Sequence, residues 1–410
     1  MDDKRIVITG IGVIAPNGIG KEKFWDALKD GRSGIKPISR FDTTEFKCKL
    51  AGEVSDFKPA DYLGEKGLRE LDRSSRFLCT AAKLAINDAK LSISEDNTDA
   101  IGVCTGTTLS SLWNIAEYDR EVIKDGPLFT DAGVFAGTVA NAASSRVSIL
   151  FNIQGFNATI STGYTSSIEA IRYAANFIQS GRVKVVLAGG VESISPASFT
   201  GFYRLGFLAG LKGEELSCPF DKRRNGIIIG EGAGVIVLED ETYAKERKAH
   251  IYAEVKGAAS SFDAYKLGKY QPQGKGLLQS IRKTLSHSRI RPEQIDCVQA
   301  SANSVKEHDR IETGVLRGVF AKQADKIPVT AVKSMLGESF SAAGLFQVIS
   351  ALGSIKEGFV PAVANYREKD PDCDLHYVTN TLRSRKVSNV LISSFGPGGN
   401  NCALLLSKYL

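Results

Sequence analysis

The chain has 410 residues, with 52 Lys and Arg against 46 Asp and Glu for a formal charge of +6. Its charges are interspersed, without the basic block or aromatic-basic stripe that neutralises phosphates, which excludes a nucleic-acid-binding surface of that kind. Forty glycines against twelve prolines, with 20 Phe and 12 Tyr, exclude a disordered, collagenous or low-complexity chain and leave two or three ordinary domains or one large layered one.

Apolar β-branched runs of a few residues alternate with longer helical patterns, which predicts an α/β protein with a largely parallel sheet and crossover helices. Residues 5–9 read as a strand entering a turn at Gly10-Ile11-Gly12. Residues 72–90 put Leu78, Ala81, Ala82, Ala85 and Ala89 on one helical face. Buried strands are predicted at 100–105, 184–188 and 233–238. A charged segment, DETYAKERKAH, follows Glu239, and the alternation restarts at 251–255. This places a boundary near 250 and gives an N-terminal half, 1–250, and a C-terminal half, 251–410. The second half repeats the theme, with a helix around 276–285 and strands at 296–300, 328–331, 389–393 and 402–407. Two similar α/β halves facing each other are expected.

The seven cysteines, Cys48, Cys79, Cys104, Cys218, Cys297, Cys373 and Cys402, contain no C-x-x-C pair, so no zinc or redox motif and no metal or cofactor is expected. The N-terminal run is too acidic and too short for a signal peptide, and no stretch approaches 18 apolar residues. The expectation is a reduced, cytoplasmic protein without membrane contact. Only four histidines occur, His250, His287, His308 and His376, each among charged or turn-forming neighbours in the sequence.

Residues 157–171 run from β-branched residues through a small-residue turn into an amphipathic helix, the shape of a nucleophile elbow. Such a turn presents one side chain at a helix N-terminus, where free N–H groups favour a developing anion. Here the apex is Tyr164, a poor nucleophile because its phenol ordinarily ionises near pH ~10. The clusters Gly226 to Gly234 and Gly396 to Gly399 lack the Rossmann and P-loop spacings and read as tight turns packed on a sheet. Residues 332–344 hold Glu338 in a small-residue turn before an apolar helix. If buried, Glu338 needs a cation, and Lys333 is the nearest candidate.

Further signatures accompany these. The opening VITGIGVIAPNGIG looks like V-T-G-x-G-x-x-(T/S)-P-x-G, and Asp72-Arg73 through Asp88-Ala89 looks like a D-R-x-x-x-F…A…D-A helix. Pro219-Phe220-Asp221 with Arg224-Asn225-Gly226 and Gly230 to Gly234 looks like P-F-D-x-x-R-D-G-x-x-x-G-E-G-A-G. Together the segments resemble the β-ketoacyl synthase family, the condensing enzymes of fatty-acid and polyketide synthesis, from end to end. The resemblance implies the thiolase fold, two βαβ-type halves stacked as five αβαβα layers, in a dimer with acyl pockets along the subunit interface.

The same resemblance implies a Cys nucleophile and two histidines, and the three matching positions carry other residues. In T-A-C-A-(S/T)-(G/S), Tyr164 stands at the Cys; in A-H-G-T-G-T-P-x-N-D-x-x-E, Ser301 stands at one His; in K-S-x-x-G-H-x-x-G-A-A-G, Glu338 stands at the other. His308 falls on the Asn of the second motif and does not replace either imidazole. Condensation needs a thiolate to take the acyl chain and imidazoles to promote decarboxylation and hold the oxyanion. In the closing loop S-F-G-F-G-G-x-N, whose second Phe gates the acyl pocket, Pro397 stands at the gate.

A synthase-like subunit without the Cys looks like the chain-length factor of a type II polyketide synthase. It implies a non-catalytic subunit that pairs with an active ketosynthase α-subunit, completes the tunnel that receives the growing polyketide, works with an acyl carrier protein and helps set chain length. Members of that subfamily usually carry Gln at the Cys position, so Tyr164 departs even from them. In such proteins the helix at residues 110–124 lines the tunnel at the heterodimer interface. Leu112, Ile115 and Asp119 lie on one face there, with Trp113 and Ala116 as neighbours. Two alternatives remain open: an acyltransferase or condensing enzyme using Ser161, Ser166 or Ser301 as nucleophile with Glu338 as base, and a homodimeric carrier-protein scaffold.

Overall fold

The structure is a computed structural model that describes residues 4–379, 383–384 and 386–410. Ten strands follow one another across a continuous sheet in the spatial order Val329–Thr330, Cys297–Gln299, Asn389–Phe395, Asn400–Ser407, Ala253–Phe262, Ile6–Ala15, Gly232–Asp240, Val185–Glu192, Ile101–Gly106 and Asn157–Ile160. Ile101–Gly106 runs parallel to both its neighbours, as does Cys297–Gln299. The five pairings between those two groups are antiparallel. The sheet is therefore mixed, not largely parallel as the strand–helix alternation suggested. Burial on both faces makes a strand read as a continuous apolar run, but it does not record which way the neighbours run.

The two halves meet where Ile6, Val7 and Ile8 pair with Val255, Glu254 and Ala253. Between them lie two helices, Ser166–Gln179 and Ala343–Glu357, each touching strands of both halves. Ala343–Glu357 is buried from Ala343 through Ile355, as an all-round apolar helix must be. Arg73–Ala89 and Ala142–Phe151 cover the outer face of the N-terminal half, and Lys275–Ser288 and Lys306–Phe320 that of the C-terminal half. The result is the five-layered thiolase-like arrangement. Strand alternation builds it: Val235 and Val237 face the outer cluster with Leu78 and Ala82, while Ile236 and Leu238 face the central one with Ile171 and Leu345.

The segment Gly10-Ile11-Gly12 is not a turn. The strand runs unbroken from Ile6 to Ala15, with a register shift between Ile8 and Gly10. A Cβ at Gly10 would overlap the carbonyl oxygen of Ala85, and one at Gly12 that of Ala81. The glycines let helix Arg73–Ala89 lie directly on the strand. Gly232 and Gly234 likewise belong to a strand, where a Cβ at Gly234 would sit 2.5 Å from that of Leu345 on the central helix. Among the described residues no helix is long and apolar enough to cross a membrane.

Candidate active-site region

The elbow forms as read: strand Asn157–Ile160, a single 3-10 turn at Gly163–Thr165, then helix Ser166–Gln179. Gly163 has φ +67°, a conformation glycine adopts at no steric cost. Ser166 Oγ accepts from Thr162 N–H (2.9 Å) and donates to Gly163 O (2.6 Å), which ties the turn. Tyr164 is buried in a small apolar cluster with Phe199, Phe340 and Ile229. Its ring lies 5.5 Å from that of Phe340, and Lys333 Nζ lies 5.5 Å from its centroid. Gly396 lies against it, where a Cβ would come within 3.0 Å of Tyr164 Cγ. Burial, together with the nearby Glu338, pushes the phenol further above its ordinary range, so it stays a neutral space-filling group.

Glu338 and Ser301 converge on Lys333. Glu338 Oε2 accepts from Lys333 Nζ at 2.7 Å and from Asn303 Nδ2 at 2.9 Å, and Oε1 accepts from Phe340 N–H at 2.9 Å. Lys333 Nζ also donates to Ser301 O at 2.9 Å and lies 3.4 Å from Ser301 Oγ. The expected Lys333–Glu338 pair is present. Asn303, the other side chain on Glu338, is a partner the sequence reading missed. Both oxygens of this carboxylate are thus already engaged, by a cation, an amide and a backbone N–H.

His308 has charged neighbours in the sequence, but its ring does not face solvent. It is fully buried on helix Lys306–Phe320, stacked on Phe395 with centroids 3.9 Å apart, and its Nδ1 lies 3.2 Å from Tyr270 Oη. Burial, with Lys333 nearby, holds it well below the ordinary imidazole pKa, so it is neutral. The signal for this was available: His308, Ile311, Glu312, Val315 and Leu316 follow helical spacing and all are buried. Glu312 Oε1 accepts from Ser301 N–H (2.8 Å) and Ser393 Oγ (2.5 Å), and burial pushes its carboxyl up to about 7. Asp309, raised to about 6 by burial, accepts from the Phe220 and Asn303 N–H groups and so joins the Pro219-Phe220-Asp221 segment and the 301–305 loop to the start of helix Lys306–Phe320.

The remaining predicted positions lie around this cluster. Pro397 is half-buried in the turn Gly396–Gly399, closed by Gly399 N–H donating to Gly396 O at 3.1 Å, where proline presets the second turn residue. Ser161 is exposed at the strand end. Helix Leu112–Asp125 carries Leu112, Trp113, Ile115 and Ala116 half-buried and Asp119 exposed. It has no fully buried residue. Trp113 packs edge-on to Phe41 and beneath Arg40, lining a polar cavity. The approach to this helix is fixed by buried Glu192, which accepts from Thr107 Oγ1, Thr108 N–H and Leu109 N–H and from Ser341 Oγ of the other half. All seven cysteines are buried, and burial raises the thiol pKa of Cys48, Cys79, Cys104, Cys218, Cys373 and Cys402, away from thiolate chemistry. Among the described residues no group of three or more His, Cys, Asp or Glu is arranged to hold a metal.

Two family models match the chain: the N-terminal domain of β-ketoacyl synthase over residues 3–244 and its C-terminal domain over 252–367. The chain is 35% identical to a 3-oxoacyl-[acyl-carrier-protein] synthase 2 of Coxiella burnetii, covering 100% of this chain and 99% of that one. It is 33% identical to the tetracenomycin polyketide synthase ketoacyl synthase alpha subunit of Streptomyces glaucescens, with 99% and 97% covered. Among solved structures it is similar to the ishigamide ketosynthase/chain length factor, with TM-score 0.93 and 33% identity over the whole of both chains. It is also similar to a chain from a type II polyketide synthase acyl-carrier protein in complex with its ketosynthase bound to the hexaketide, with TM-score 0.91 and 28% identity over the whole of both.

Proposed function

The chain belongs to the β-ketoacyl synthase family, and from that footing we propose that it is a chain-length factor: a subunit without its own condensing centre that pairs with an active ketosynthase and walls part of the polyketide tunnel. The observation that carries this reading is the buried Tyr164 at the elbow, with Ser301 and Glu338 locked to Lys333. A phenol raised by burial offers no nucleophile, and the neighbouring charges are already paired. No imidazole stands at 301 or 338 to promote decarboxylation.

Pairing with a second subunit has its own support. Strand Asn157–Ile160 ends the sheet and is half-exposed, and such an edge is a template for strand addition. Ile149, on the helix packed against that strand, and Ile123, Leu128, Phe129 and Phe135 earlier in the chain expose 57% to 92% of their surface, a concentration of exposed large apolar side chains of the kind that marks an interaction surface. In this reading Leu112, Ile115, Ala116 and Asp119 face the tunnel, acyl carrier protein delivers the chain to the partner, and the division near residue 250 separates the two synthase-like halves.

The test is co-expression with a ketosynthase from the same genome that carries an intact Cys, followed by size-exclusion chromatography and intact-mass analysis after acyl-carrier-protein loading. A 1:1 complex with the acyl adduct on the partner alone is expected. Two separate species, or a stable acyl adduct on this chain, would sink the reading, the latter in favour of serine chemistry.

A further inference from the structure

Behind helix Leu112–Asp125 lies a cavity of about 720 Å³ whose wall includes Arg40, Arg69, Arg73, Arg76, Arg146 and Trp113. Three of these arginines already have carboxylate partners: Arg73 forks onto buried Glu231, Arg40 lies 3.9 Å from the same carboxylate, and Arg146 lies 3.5 Å from Glu70. Asp72, also in the wall, caps helix Arg73–Ala89 and accepts from Ser111 Oγ. Among the described residues Arg69, which is exposed, and Arg76 have no ion-pair partner; Arg76 Nη2 donates to Leu68 O at 3.0 Å, while its Nε is buried without a hydrogen bond. A buried guanidinium nitrogen in that state lacks a strong acceptor. The burial of Arg40 and the nearness of Arg73 further disfavour positive charge there, and an incoming anion would relieve this.

What surrounds the cavity indicates the kind of anion. Asp131, Gly133, Val134, Gly137 and Arg146 line it, and the same segments carry the exposed Leu128, Phe129, Phe135 and Ile149. Arg146 also borders a smaller cleft with Ile149 and Leu150. A free phosphate has no use for an apolar rim, and the volume holds several side chains. Arginine and tryptophan in a cavity flanked in the chain by exposed apolar residues match the composition of an interface anchor.

We propose that this arginine cavity receives an acidic segment of the second subunit, whose carboxylates pair with Arg69 and Arg76. The inference rests on the heterodimer reading above and adds to it the recognition chemistry: the apolar rim supplies the contact area, and the two guanidinium groups select a partner with carboxylates at that place.

The experiment measures the dissociation constant of the complex with the co-expressed ketosynthase by analytical ultracentrifugation at 50 and 500 mM NaCl. Circular dichroism confirms that each variant is folded. Arg69→Glu/Arg76→Glu should weaken the complex by about 100-fold and flatten its salt dependence, whereas Arg69→Lys/Arg76→Lys should cost less than about tenfold. Phe129→Asp should disrupt the complex through the apolar rim alone. A charge-reversed variant that pairs within threefold of the wild type, while Phe129→Asp does not pair, overturns the anchor and leaves the heterodimer standing. A wild-type chain that forms no complex overturns both.

Discussion

Lys333 Nζ lies 2.7 Å from Glu338 Oε2, with both side chains almost wholly removed from solvent. Glu338 stands where the resemblance implies an imidazole, and the pair is completed by Ser301 O, Asn303 and the Phe340 N–H. A buried ion pair is costly to break from one side, because the remaining charge keeps its burial and loses its compensation. Lys333→Met should therefore destabilise the protein by about 3–5 kcal/mol, read from urea midpoints. Lys333→Met/Glu338→Gln should recover more than half of that loss, since no orphan charge remains. A single variant as stable as the wild type would remove the pair from any structural role.

Tyr164→Cys restores a thiol at the elbow but neither imidazole. The variant should take up no acyl group from carrier protein by intact mass. It should also lose stability on the order of 3 kcal/mol, because a large ring is replaced by a small side chain beneath Gly396 and beside Phe340. Stable acylation would show that the rest of the site is still competent.

Glu312 gives the protein a pH dependence of defined sign. Its folded pKa is about 7, raised by burial, and Oε2 has no hydrogen-bond partner, against ~4.3 in an unfolded chain. The folded state holds the proton more tightly, so this residue's contribution to stability falls as pH rises from ~4.3 and is fully unfavourable above about 7. Glu312→Gln should raise stability by about 1–3 kcal/mol at pH 8 and leave it nearly unchanged at pH 4.5. Denaturant midpoints at the two pH values would check this, and an equal effect at both would assign the gain to packing.

Leu112→Phe and Ile115→Trp add bulk to one face of helix Leu112–Asp125. In complex with the ketosynthase, each should shift the product toward shorter chains, measured by mass spectrometry, while the complex itself persists. Unchanged product length with intact turnover would take these residues out of the tunnel wall.

Gly12→Ala tests the close strand–helix approach. A Cβ there would overlap the Ala81 carbonyl, so the variant should be destabilised by about 3 kcal/mol, at the upper end of ordinary overpacking, and should show a lowered thermal midpoint. Gly20→Ala meets nothing within 4 Å, but its φ of +88° costs about 1 kcal/mol. It serves as the conformational control.

The elements were legible because each has a local signature. Helix Arg73–Ala89 and the strands around residues 101, 185 and 233 emerged from apolar spacing alone, and the elbow at Tyr164 from a strand, small residues and a helix in succession. The Lys333–Glu338 pair was legible because the partners are five residues apart. Contacts between distant segments were not. Tyr270 against His308, Asn303 against Glu338, and Glu192 against Ser341 join positions 35 to 149 residues apart, and nothing in the local pattern records such neighbours. His308 shows both sides: helical spacing carries its inward face, but its ring partners Phe395 and Tyr270 lie far away in the chain.

The amino-acid sequence by itself determined the α/β class, the family motifs and the presence of Tyr164, Ser301 and Glu338 at the motif positions where the resemblance implies a Cys and two His, because residue identity and local spacing are properties of the chain. The tertiary structure decided the mixed direction of the sheet, the strand role of Gly10 and Gly12, the saturation of Glu338 and the gathering of five arginines behind Trp113. Those depend on burial and on which remote segments share a space. Whether a carboxylate is a base or a fixed charge, and whether an arginine is paired or waiting, is set by that shared space and not by the residues on either side of it in the chain.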